Sequence, residues 1–123
     1  MSKIIRILNV ICLSVLIVFS VSAQTSEGVA WKSSVKHLGG DSFLVKLEAT
    51  IPPSFHMYDL GPYGEEGPFA TIIDVIPGSG TMLDGPVEQL SVPHRYYDDI
   101  YEMEIGTFEG TARFAQKVKL SAP

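Results

Sequence analysis

The chain has 123 residues, of which 46% are hydrophobic and 19% charged, a length that fits one domain with a core of its own. Its formal net charge of −5 excludes the surplus of Lys and Arg from which nucleic-acid binding draws its affinity. Its single cysteine excludes a disulfide framework within the chain and any site built from several thiolates.

Lys3 and Arg6 open a positive N-terminal stretch, residues 10–21 form an apolar run, and Val21-Ser22-Ala23 supplies the small residues at which a leader peptidase cuts. The pattern predicts an export signal over residues 1–23, cleaved after Ala23, and a single domain over residues 24–123. The apolar run is shorter than the roughly 20 residues of a membrane-spanning helix, so an uncleaved anchor ranks second. A lipid-modified cysteine ranks lower, because Cys12 follows Ile11 rather than a small residue and lies inside the run. Cleavage would remove this only thiol. Lys3 and Arg6 would leave with the signal, so seven of the nine basic residues would face all fourteen acidic ones, a net charge of −7. Asn9 is the sole asparagine, and residues 24–123 therefore hold no N-glycosylation acceptor.

Residues 30–36 alternate, with Trp31, Ser33 and Val35 on one face and Lys32, Ser34 and Lys36 on the other, which predicts a half-buried strand anchored by Trp31. Gly39-Gly40-Asp41 tolerates a tight turn, and residues 42–50 answer with Phe43, Val45, Leu47 and Ala49 on one face, completing a hairpin. Pro52-Pro53 ends that strand because proline offers no backbone N–H. Phe55-His56-Met57-Tyr58 reads as a short extended piece. Residues 60–68, rich in Gly, Pro and Glu, read as a solvated loop. Residues 69–76 resume an apolar run in which Thr71, Ile73 and Val75 alternate with Ala70, Ile72 and Asp74.

Pro77-Gly78-Ser79-Gly80 turns the chain, and Met82-Leu83 starts a short strand that Gly85-Pro86 interrupts. Residues 87–99 hold no sustained period and read as a long irregular connection, the kind of segment in which contacts concentrate. Tyr101, Met103 and Ile105 alternate with Glu102 and Glu104, a strand with one acidic face. After a turn at Phe108-Glu109-Gly110, residues 111–120 direct Ala112, Phe114, Val118 and Leu120 inward and Arg113, Lys117 and Lys119 outward. Six or seven short strands with frequent turn signals and no helix predict an all-β domain, a two-sheet sandwich of the immunoglobulin type.

Candidate chemistry is sparse. His37, His56 and His94 form no short-spaced ligand pair. His56 with Met57, or His94 with Met82 and Met103, offers thioether and imidazole groups that suit Cu(I), set against the plainer reading of core methionines and loop histidines. Asp98, Asp99, Glu102, Glu104 and Glu109 lack a calcium-loop pattern and read as a solvated acidic face. No nucleophile elbow, phosphate-binding loop or dinucleotide fingerprint occurs. The expected metal and cofactor complement is therefore none. Residues 93–101 pack Tyr96, Tyr97 and Tyr101 among charges, which fits a recognition surface or the covering of an open end of the sandwich.

The ordered series formed by Trp31, Phe55-His56-Met57-Tyr58, Gly67-Pro68 with Ala70-Thr71, Leu83-x-Gly85, Asp99-x-Tyr101 and Phe114-x-Gln116 resembles the N-terminal periplasmic domain of the thiol:disulfide interchange protein DsbD, the disulfide bond corrector (DsbC-type) family. The resemblance implies an immunoglobulin-like fold and a periplasmic location. It also implies electron transfer for disulfide correction and cytochrome c maturation, with periplasmic thiol-disulfide proteins or a membrane electron-donor domain as partners. Two cysteines carry protein-disulfide reductase activity in that family, on a hairpin after the strand matched by residues 111–120. The chain here ends where that hairpin would begin, so no catalytic residue is assigned and an enzyme activity is left open. By the same resemblance residues 96–101 match the cap loop over the cysteines, with Tyr101 as the shielding ring, and Tyr58 matches a tyrosine lining the same site. The predicted partner-binding set is Tyr96, Tyr97, Asp98, Asp99 and Tyr101 with Tyr58 and His56. An unpaired edge beside the last strand is expected to favour self-association. The reading from another class is a stand-alone exported β-sandwich module that binds a protein partner or Cu(I).

Overall fold

A computed structural model of the chain describes residues 20–24 and 28–121. Among them the chain is all-β: ten strands, paired antiparallel, and no helix. The strands are β1 (Ser20–Gln24), β2 (Ala30–Gly39), β3 (Ser42–Thr50), β4 (Met57–Tyr58), β5 (Ile72–Ile76), β6 (Thr81–Leu83), β7 (Glu88–Gln89), β8 (His94–Asp98), β9 (Met103–Phe108) and β10 (Thr111–Leu120). They form three sheets. The largest runs β2-β3-β10-β6 with β7 also on β10, the second runs β4-β9-β8, and β1 pairs with β5.

The β2–β3 hairpin forms where the glycine turn predicts it, with Val35 opposite Val45 and an irregularity between His37 and Gly39. Gly39 and Gly40 both adopt positive φ, the conformation for which a residue without Cβ is suited. Alternation along β3 and β10 sets the core. Val45, Leu47 and Ala49 are buried opposite Gln116, Phe114 and Ala112. Ile51, Met57, Ile73, Val75, Phe108 and Val118 complete the cluster, so the core draws side chains from β3, β4, β5, β9 and β10. Phe114 lies at its centre with no exposed surface, 5.7 Å from the Phe108 ring edge-on and 5.9 Å from Trp31.

Several expectations need correction. Residues 87–99 are not one irregular connection, because Glu88–Gln89 bonds to β10 and His94–Asp98 pairs along β9 from Thr107 to Met103. The period was hidden because β8 has no fully buried position: His94, Arg95 and Tyr97 are exposed, and Tyr96 and Asp98 only half-buried. Tyr101 and Glu102 lie in the turn before β9 rather than within it, Glu102 with positive φ. The last strand is not a free edge either. It pairs with β3 along nearly its whole length, and on its other side β6 covers Val118 to Leu120 and β7 covers Phe114 and Ala115. Cleavage after Ala23 is a separate matter and stays an expectation: it would take Ser20–Ala23 of β1 away with the signal, whose residues 1–19 lie outside the described residues.

Phe114→Ala should cost about 3 to 5 kcal/mol through lost burial and the cavity left behind. Urea unfolding followed by the fluorescence of Trp31, the only tryptophan, measures it. A loss under about 1 kcal/mol would show that the ring does not centre the core.

Candidate functional site

The β4-β9-β8 sheet carries most of the predicted partner-binding residues. Thr107 of β9 lies opposite both Tyr58 of β4 and His94 of β8, and Ile105 lies opposite Tyr96. Directly opposed residues share a face, so Tyr58, His94 and Tyr96 stand together over the buried Ile105 and Thr107. His56 meets Tyr58 edge-on at 6.0 Å, and Tyr63 meets it from elsewhere at 6.4 Å. His94 stacks on Tyr96 at 5.7 Å. Burial holds the Tyr58 proton above its ordinary pKa of 10.0, and the charges of Tyr101, Tyr96 and Asp98 add to the same shift.

The tyrosine-rich stretch is a strand and a tight turn rather than a free loop. Asp98 Oδ1 accepts the backbone N–H of Ile100 at 2.8 Å and of Tyr101 at 2.9 Å, a local cap that fixes the β8–β9 turn. Of the predicted set, His56, Tyr58, Tyr96, Asp98 and Tyr101 gather. Tyr97 falls on the opposite face of β8 by alternation and is exposed, and Asp99 is exposed in the turn. The acidic residues Asp99, Glu102, Glu104 and Glu109 are all exposed.

On the other face of β9 lies a polar network that the sequence did not announce. Asp59, only 3% exposed, follows β4 and receives Gly61 N–H at 3.0 Å on Oδ1, together with the Tyr63 hydroxyl. Arg95 Nη1 stands 3.5 Å from Asp59 Oδ2 while its Nε donates to Glu104 at 2.8 Å. Tyr63 Oη in turn accepts Gly106 N–H at 2.8 Å. A Cβ on Gly106 would run into Asp59 Oδ2 and lie 3.1 Å from its Cγ, so the close approach of carboxylate to strand requires glycine there. The backbone closes the same loop: Thr71 N–H donates to Asp59 O at 3.1 Å and its hydroxyl to Tyr58 O at 2.6 Å. Residues 60–70 are therefore pinned at both ends, and Pro68 is buried, which corrects the expectation of a merely solvated loop.

That loop lies against the β8–β9 turn. A Cβ on Gly67 would stand 2.6 Å from Tyr63 Cβ and 3.0 Å from Met103 Sδ at the start of β9. Phe69 in the loop is 97% exposed and Ile100 in the turn 87%.

The copper candidates do not converge. Met57 is buried in the core beside exposed His56. Met103 lies opposite Asp98, four residues of strand, roughly 13 Å, from the position opposite His94. Met82 belongs to the other sheet, opposite Lys119. Among the described residues no group of three or more His, Cys, Asp or Glu is placed to hold a metal ion. The chain matches no protein-family model, no curated protein and no solved structure.

Burial first, and donation to Asp59 second, push the Tyr63 pKa from 10.0 up to about 12, against the opposing pull of Gly106 N–H. The folded state thus holds this proton more tightly than the unfolded chain. The stability it contributes is whole below pH 10.0 and is lost as the pH rises toward about 12. A pH titration of phenolate absorbance should show one tyrosine ionising last, and Tyr63→Phe should remove that step. The same variant should cost about 1 to 3 kcal/mol by leaving Gly106 N–H without its acceptor. Unchanged stability and an unchanged alkaline titration would remove Tyr63 from the network.

Proposed function

We propose that this chain is an exported recognition domain of the DsbD N-terminal type that docks a thiol-disulfide protein or a membrane electron-donor domain. It does so through the face built from His56, Tyr58, Tyr96, Asp98 and Tyr101. The observation that carries this reading is the set of aromatic rings held around Tyr58 and flanked by exposed Ile100 and Phe69. Rigid tyrosines give large contact area at low entropic cost, and anchored apolar tips next to them are what interface centres are made of.

On this reading the β2-β3-β10-β6 and β4-β9-β8 sheets form an immunoglobulin-like sandwich. The single core shared by β3 and β10 with β4, β5 and β9 supports that arrangement. Thiol exchange needs a thiolate nucleophile, and the sequence has none after Cys12. Residues 24–123 therefore recognise a partner in disulfide correction and cytochrome c maturation without themselves exchanging electrons. A periplasmic location follows from the export signal read in residues 1–23.

The experiment is a binding titration of the exported protein with purified thioredoxin-fold domains bearing a Cys-x-x-Cys pair, each oxidised and reduced. Tyr101→Ala and Tyr96→Ala should each weaken binding roughly tenfold to thirtyfold, the range of an interface anchor, while Lys36→Ala, on a different sheet, leaves it unchanged. No binding at millimolar concentration in either redox state, or equal loss from Lys36→Ala, would refute the proposal. Mass analysis of the exported form tests the signal, with Gln24 expected as its first residue.

A further inference from the structure

The outer face of the β2-β3-β10 sheet carries every basic residue among the described residues except Arg95. Register puts Lys32 and Lys36 of β2, Lys46 of β3, and Arg113, Lys117 and Lys119 of β10 on one side, opposite the face that builds the core. These are six of the seven basic residues that follow the expected signal, and all six are exposed. Arg95 alone lies elsewhere, committed to Asp59 and Glu104.

The charges fall into two groups. Glu48 sits between Lys32 at 3.9 Å and Arg113 at 2.9 Å and answers both. A hollow of about 240 Å³ beside them is lined by Lys32, Ser34, Lys46, Glu48, Leu90 and Arg113. The carboxylate inside it opposes a second anion, so the hollow is no phosphate pocket. Lys36, Lys46, Lys117 and Lys119 make no ion pair among the described residues. They surround the half-buried Leu44: Lys36 and Lys117 are its direct neighbours on the two flanking strands, and Lys46 lies two residues along β3. Lys119 stands opposite Met82, which is exposed and on the same face.

We infer that this face docks on an anionic lipid bilayer. The unanswered cations spread over three strands, about 10 Å across, and the whole basic set runs about 20 Å along β10. An extended acidic peptide presents its charges along one line, whereas headgroups present them in a plane, as these lysines do. Met82 at the rim supplies an apolar side chain that reaches the headgroup layer. Among the described residues Glu48 and Glu88 lie on this face by register and Asp84, whose N–H donates to Lys117 O, sits at its β6 edge, so the six cations outnumber the carboxylates here two to one, and Asp99, Glu102 and Glu104 lie around the β8–β9 turn instead.

The test uses the protein recovered after export of the full chain, sedimented with vesicles of phosphatidylcholine alone or mixed equally with phosphatidylglycerol. Binding is expected to the mixed vesicles at about 20 mM salt and to vanish at about 500 mM, as screening requires. Each cation near an anionic surface is worth about fivefold in partitioning, so Lys36→Gln, Lys46→Gln, Lys117→Gln and Lys119→Gln together should lower it roughly several-hundred-fold. Glu65→Gln with Glu66→Gln, in the loop of residues 60–70, should lower nothing. Indifference of the native protein to phosphatidylglycerol, or an unweakened quadruple variant, would overturn the inference. So would polyglutamate that binds as tightly and displaces the vesicles, because the occupant would then be an acidic polypeptide.

Discussion

Asp59 is a carboxylate buried to 3% exposure, and a buried charge is tolerated only when hydrogen bonds and an opposite charge replace the water it has lost. Gly61 N–H, the Tyr63 hydroxyl and Arg95 supply that replacement. Gly61 and Tyr63 come from the loop of residues 60–70 and Arg95 from β8, so satisfying one side chain ties that loop and β8 to the residue that follows β4. Gly106 completes the constraint from β9 by having no side chain where the carboxylate must lie. Tyr63, held by Asp59 on one side and by Gly106 N–H on the other, brings its ring against Tyr58. The aromatic face thus inherits rigidity from the polar network through the one ring, Tyr63, that belongs to the network and meets Tyr58.

The same economy of strand alternation divides the charge of the molecule. In β3 and β10 every second residue enters the core, which leaves the intervening positions to whatever solvent accepts, and here they are Lys46 and Glu48, Arg113, Lys117 and Lys119. Around the β8–β9 turn the exposed positions are instead Asp99, Glu102 and Glu104. A chain with a modest overall negative charge therefore presents a basic sheet face and an acidic hairpin, and its net charge conceals both. Electrostatic orientation follows from that separation rather than from the total.

Strands that bury one face were legible in the sequence, and strands that bury neither were not. The β2–β3 hairpin, the inward set of β10 and the alternation of Thr71, Ile73 and Val75 all follow from period two, because burial forces apolar residues onto one side. β8 escaped because His94 through Asp98 has no buried position, and its pairing with β9 is specified by the Asp98 cap on the turn rather than by hydrophobicity. β7 is two residues long and sits on β10 by long-range pairing, for which no local pattern exists. The approach of Tyr58 to Tyr96 has no local signature, because it depends on β4 and β8 both pairing with β9. The Asp59–Tyr63–Gly106 network joins residues 43 apart, Tyr63 and Gly106, and its only local trace is a tyrosine four residues after an aspartate in a Gly- and Pro-rich loop.

Recognition and exchange place different demands on a protein, and the function proposed for this chain asks only for the first. Exchange depends on one sulfur with the right pKa and access, and a single substitution removes it. Recognition depends on the placement of several rings, which here rests on sheet register, a capped turn and a buried carboxylate, none of which involves a thiol. A scaffold can therefore lose or lack the sulfur without disturbing the surface that selects the partner. The aromatic face around Tyr58 is held by interactions that would persist whether or not a cysteine ever stood beneath it. Its rigidity is thus an argument for binding in its own right, not a relic that needs the missing chemistry to explain it.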